Sequence, residues 1–189
     1  MKTHKRTTFE PRCLVPAILV ALLFCAPAFS KAADVLVTEY RIKAAFLYNF
    51  TRFVDWPKQA TSNNDIFSLC ILGTDVFGEY LSPLESKAVN GQALRIRRIK
   101  DAAAAGNCQL VFISESTAGD MKNILSKLGK LPVLTVSDAD NFTELGGIIQ
   151  FRLIDNKVRF DVNIDAADNA GLNISSKLLS LANAVKKGK

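Results

Sequence analysis

Ile66-Phe-Ser-Leu-Cys-Ile-Leu72 is almost unbroken in apolar character and is closed by Gly73. A run this short and this continuous reads as a strand buried on both faces, because a strand with one wet face would alternate. Cys108–Ser114 (CQLVFIS) and Leu131–Val136 (LPVLTV) repeat the pattern. Between these runs the period becomes helical. Val76, Phe77, Tyr80, Leu81 and Leu84 follow Gly73-Thr74-Asp75, and Met121, Ile124, Leu125 and Leu128 mark one side of a helix over 117–128. Asp101–Gly106 is a short alanine-rich helix or turn.

Buried strands alternating with helices imply a mostly parallel sheet. Ala93–Lys100, entered through the turn Val89-Asn90-Gly91-Gln92, opposes Leu94 and Ile96 to Arg95 and Arg97, as a strand with one face in water does. Ile148–Ile154 and Lys157–Ile164 flank Asp155-Asn156, the two-residue loop of a hairpin. A last helix is expected over 175–186, with Leu178, Leu181, Ala182 and Val185 inward. The fold class is therefore α/β. We expect a three-layer sandwich whose mostly parallel sheet of about six strands has an antiparallel edge hairpin and helices on both faces.

Upstream of the first strand lies Glu39–Pro57, EYRIKAAFLYNFTRFVDWP. Ile42, Ala45, Phe46, Asn49, Phe50 and Phe53 recur at helical spacing, and Ala44, Leu47, Tyr48 and Val54 widen the apolar face. The expected helix is about five turns long and ends at Trp56-Pro57, since proline disfavours α geometry in the residue before it. Core packing explains most of such a stripe. A helix apolar on more than one side also suits a partner, for which Asn49, Phe50, Arg52, Phe53 and Trp56 are the candidate contacts.

The first 30 residues read as a cleaved secretory signal peptide. Lys2, Lys5, Arg6 and Arg12 form a basic start, Cys13–Phe24 is mostly apolar, and Ala26-Pro27-Ala28 or Ala28-Phe29-Ser30 offers small residues for cleavage. The apolar run is too short to span a bilayer. Phe24 stands where a lipoprotein would need a small residue before Cys25. Residues 31–189 are then a single domain in the periplasm. The whole chain has 24 basic and 18 acidic residues; removing those four cations and Glu10 leaves 20 against 17, a net charge of +3. That mild excess does not argue for nucleic acid.

Only Cys70 and Cys108 remain in the mature chain. Two cysteines at the edges of buried strands in an exported protein most simply form one disulfide, with a pair of buried thiols as the alternative. There is no Cys-x-x-Cys to suggest redox chemistry. The sole histidine, His4, leaves with the signal peptide, which removes Ser/His and Cys/His catalysis and the usual zinc sites. No metal or cofactor is expected, and no catalytic residue.

The remaining motifs are weak. Gly73-Thr-Asp-Val-Phe-Gly78 has phosphate-loop glycine spacing, but Glu79-Tyr80 replaces the required Lys-Ser/Thr, so Asp75 reads as a helix cap. Ser137-Asp138 follows a buried strand at the sheet end where α/β proteins bind ligands. With Thr74 and Asp75 it forms a candidate small-molecule crevice, although capping explains it as well. Arg95, Arg97, Arg98 and Lys100 read first as a charged edge that deters strand pairing.

Three motifs carry a resemblance: Ile42-Lys-Ala-Ala-Phe-Leu-Tyr-Asn-Phe-Thr-Arg-Phe-Val-Asp-Trp-Pro57, Gly73-Thr-Asp-Val-Phe-Gly78 and Gly171-Leu-Asn-Ile-Ser-Ser-Lys-Leu-Leu179. In this order they resemble the YfiR-like family of bacterial periplasmic proteins, across nearly the whole mature chain. The resemblance implies a non-enzymatic periplasmic α/β protein. It also implies inhibition of an inner-membrane diguanylate cyclase through its periplasmic sensor part, and hence control of cyclic di-GMP and biofilm. A further expected partner is an outer-membrane lipoprotein; a homodimer is left open. The alternative function is a periplasmic small-molecule binding module.

Overall fold

The computed structural model describes residues 30–58 and 65–187, with side chains from residue 38 onward. The expected signal peptide lies outside the described residues, apart from Ser30. The chain divides into units of residues 1–35 and 36–189, and the sheet lies wholly in the second.

Helix α1 (Ser30–Phe50) precedes a two-residue strand, β1 (Val54–Asp55). The main sheet contains β2 (Ile66–Leu72), β3 (Ala88–Val89), β4 (Gln92–Ile99), β5 (Leu110–Ile113) and β6 (Leu134–Ser137). It is completed by β7 (Ile149–Ile154), β8 (Lys157–Asn163) and β10 (Ala184–Lys186). Helix α2 (Met121–Leu128) precedes β6. After β8 come α3 (Ile164–Asn169), β9 (Asn173–Ile174) and α4 (Ser176–Leu179). The order across the sheet is β10-β8-β7-β6-β5-β2-β4-β3. It is parallel except at the β7–β8 and β3–β4 pairs. The sheet thus has eight strands where six were expected, the additions being the short β3 and β10; β1 and β9 form a separate antiparallel ribbon.

The continuous apolar runs are explained by burial on both faces. Phe67, Leu69 and Ile71 of β2, Leu110 and Phe112 of β5, and Leu134 and Val136 of β6 point into one core with Leu47 and Phe50 of α1. Cys70, Leu72, Val111 and Ile113 point the other way, into a core shared with Ile124, Leu125 and Leu128 of α2. Phe46 and Phe50 pack against both Phe151 of β7 and Phe160 of β8, with ring centroids 5.1–6.1 Å apart. Cys70 and Cys108 are bonded within the second core, their Cα atoms 6.1 Å apart. Asp155 and Asn156 both adopt positive φ, 50° and 57°, as a two-residue hairpin loop between right-twisted strands requires.

Helix α2 starts at Met121, after a 3-10 segment over Glu115–Asp120, and β6 starts at Leu134, each a few residues later than expected. Three further segments differ more. Helix α1 stops at Phe50, six residues before Trp56. Thr51, Arg52 and Phe53 donate to carbonyls three residues back, the Thr51 hydroxyl also donates to the Tyr48 carbonyl at 2.7 Å, and Val54–Asp55 then pairs with β9. Ribbon pairing with a strand far along the chain overrides helix propensity here. The segment after Gly73 is a 3-10 helix, Gly78–Ser86, with Pro83 inside it; Phe77, Leu81 and Leu84 are buried as the periodicity indicated. The helix expected over 175–186 is a single turn, α4, followed by an edge strand. Leu178 is buried, whereas Leu181 and Val185 are 59% and 44% exposed.

Candidate functional site

At the C-terminal ends of the central strands, the residues after β2 meet those after β5, and Asp138 after β6 meets α1. Gly73, at the end of β2, has φ +91°, and a Cβ there would lie 2.7 Å from Ser116 Oγ and 2.8 Å from Thr117 Cγ2, so no larger residue fits this turn. Thr74 is exposed, and its backbone N–H donates to Ser116 Oγ at 2.9 Å. Asp75 caps the following 3-10 helix, accepting from the backbone N–H groups of Phe77 and Gly78, and its second oxygen pairs with Arg98 at 2.6–2.7 Å. The Ser137 hydroxyl is buried, donating to the Ile113 carbonyl and accepting from the Ala139 N–H.

Asp138 accepts from Tyr40 Oη at 3.0 Å and from Lys43 Nζ at 2.7 Å. Lys43 is only 4% exposed; its Nζ also lies 2.6 Å from Glu39 and 4.4 Å from the centre of the Tyr40 ring. Burial, followed by the negative charge of Asp138, raises the Tyr40 phenol above its ordinary pKa, so it stays a hydrogen-bond donor. A buried ammonium persists only when paired, and two carboxylates supply the pairing. The cluster borders a cleft of about 360 Å³ that is also lined by Glu115, Asp140, Phe151 and Leu153.

The four crevice candidates are therefore divided. Asp138 borders this cleft, whereas Thr74, Asp75 and Ser137 do not. Asp75 and Ser137 are bonded within the chain, and Asp138 accepts both of its bonds on Oδ2. The sequence reading missed Glu39, Tyr40 and Lys43. The available signal was one lysine among apolar neighbours in the first motif, with a glutamate four residues before it.

The five partner candidates are also divided. Phe50 is fully buried in the aromatic core and offers no surface, which corrects its assignment as a contact. Asn49 and Arg52 are exposed. Phe53 is half-buried beneath Lys177, whose Nζ lies 5.6 Å from the ring centre. Trp56 is half-buried; its indole N–H donates to the Gln109 carbonyl at 3.1 Å and its ring meets Phe67 edge-on. Beside it, Pro57, Cys108, Lys130, Asp168 and Gly171 help to line a cleft of about 600 Å³. Among the described residues, no group of three or more His, Cys, Asp or Glu side chains is placed to hold a metal ion.

Residues 40–183 match a family model described as YfiR/HmsC-like. Among solved structures, a conserved domain protein from Vibrio cholerae O1 biovar El Tor strain N16961 is similar, with a TM-score of 0.50 at 13% identity over 68% of this chain. The chain spans 57% of that protein's length, and the likeness extends to the fold alone. An ABC domain in complex with L-Trp from Streptococcus pneumonia gives a TM-score of 0.44 at 13% identity, over 68% of this chain and 57% of that one.

Proposed function

Because the chain belongs to the YfiR/HmsC-like family, we propose that it is a periplasmic regulator without catalytic activity. It binds the periplasmic sensor part of an inner-membrane signalling protein, a diguanylate cyclase, and holds it inactive. Cyclic di-GMP and biofilm formation fall as a result. An outer-membrane lipoprotein that sequesters the regulator would relieve the inhibition. The observation that carries this reading is the family match over residues 40–183, nearly the whole described chain. The exposed Asn49 and Arg52, beside half-buried Phe53 and Trp56, have the mixed polar and aromatic character of an interface rim.

The small-molecule reading has less support, since Asp75 and Ser137 are bonded within the chain and Asp138 Oδ2 is engaged by Tyr40 and Lys43. The test is capture of interacting proteins from detergent-solubilised membranes by the mature protein, identified by mass spectrometry. An inner-membrane protein with a periplasmic sensor part and a cyclase domain is expected. A preparation that retains no membrane protein, together with a thermal shift on adding one metabolite, would reverse the order of the two readings.

A further inference from the structure

The β7–β8 hairpin extends past its neighbours. β6 pairs with β7 only at Ile149 and Gln150, and β10 pairs with β8 only over Asp161–Asn163. Among the described residues, 151–160 therefore form a two-stranded arm without a strand on either side. One face of the arm, Phe151 and Phe160, packs under α1. On the other face the register sets Arg152 directly opposite Arg159 and Ile154 opposite Lys157. All four are exposed.

Like charges directly opposite across an antiparallel pair destabilise it. Within the chain, Arg152 Nε lies 3.9 Å from Asp161 Oδ2, a long contact, and Arg152 also borders the cleft lined by Glu39, Glu115, Asp138 and Asp140, whereas Arg159 does neither. Lys157 and Arg159 make no ion pair among the described residues. Three cations around an exposed isoleucine, arranged at a cost to the isolated fold, match an acidic surface with a small apolar centre.

We infer that this face of the β7–β8 arm docks an acidic protein surface of the signalling partner. Carboxylates of that partner engage Arg152 and Arg159, and Ile154 fills the apolar centre. This rests on the regulator reading above and identifies the surface through which it acts. A bilayer fits less well, because Asp155-Asn156 at the end of the arm would place a carboxylate deepest in the lipid.

Arg159→Glu tests the inference because it changes stability and function in opposite directions. Facing Arg152 it forms an opposite-charge pair, so the purified variant should melt roughly 2 °C higher than wild type. In a strain lacking the gene, a wild-type copy should return cyclic di-GMP to the parental level. An Arg159→Glu copy that accumulates equally should leave it near the deletion level, and Arg159→Gln should fall between them. If Arg159→Glu represses fully, the docking surface is overturned while the regulator reading stands. If the wild-type copy has no effect, both are overturned. Light scattering and sedimentation with vesicles of phosphatidylglycerol and phosphatidylethanolamine address other occupants. Self-association or vesicle binding abolished by Arg159→Glu would assign the arm to a second copy or to lipid and overturn the inference.

Discussion

The two faces of the sheet are held by different means. On the α1 face, Phe46 and Phe50 meet Phe151 and Phe160, and Lys43 meets Asp138, so residues about a hundred positions apart are joined by packing and charge alone. The α2 face is assembled from residues between Cys70 and Leu145 and includes the disulfide. One face is a covalently stapled scaffold. The other depends on reversible contacts made by the helix that leads directly into the partner candidates Asn49, Arg52, Phe53 and Trp56. The docking face proposed for the β7–β8 arm is the one opposite Phe151 and Phe160, so the ring packing that anchors α1 is kept apart from the surface offered to a partner.

The contrast is broken most severely by Phe50→Ala. Removing a fully buried ring should cost about 3–5 kcal/mol in urea unfolding. Replacing Cys70 and Cys108 by Ser opens a loop of 38 residues and should cost about 3–4 kcal/mol. Wild-type protein unfolded without reductant should titrate with no free thiol from either cysteine. Asp138→Asn, which leaves Lys43 with Glu39 as its one carboxylate, should cost about 1–3 kcal/mol. The exposed neighbour change Asp140→Asn should stay within about 0.5 kcal/mol.

Among the hydrogen-bonded groups of the cluster, the smallest effect is expected at Tyr40. Its folded pKa lies above its unfolded value of about 10, so the folded state holds the proton more tightly. That contribution is fully present below pH ~10 and is lost as pH rises through and beyond it. The melting temperature of wild type should therefore fall more steeply above pH ~10 than that of Tyr40→Phe, which itself should cost about 1 kcal/mol near neutrality.

What the sequence disclosed depended on how local each determinant is. Ile66–Leu72 was legible as a two-sided strand because burial on both faces leaves no polar alternation to misread. Asp155-Asn156 specified its own turn. The end of α1 was not legible, since it is fixed by β9 more than a hundred residues away. The segment 180–186 mixes leucine, alanine, valine and lysine in a spacing that suits a helix, and pairing with the open edge of β8 makes Ala184–Lys186 a strand. At the site, the Glu39–Lys43 spacing was visible, but Asp138, the partner that ties it to the sheet, was not.

The restraint of a membrane cyclase from the periplasm, proposed for this family member, has a direct cellular readout. It is tested most directly by cellular cyclic di-GMP in a strain lacking the gene, measured with and without the wild-type gene restored. Cyclic di-GMP should rise on deletion and return to the parental level on restoration; an unchanged level in both strains would reject the cyclase-restraining role.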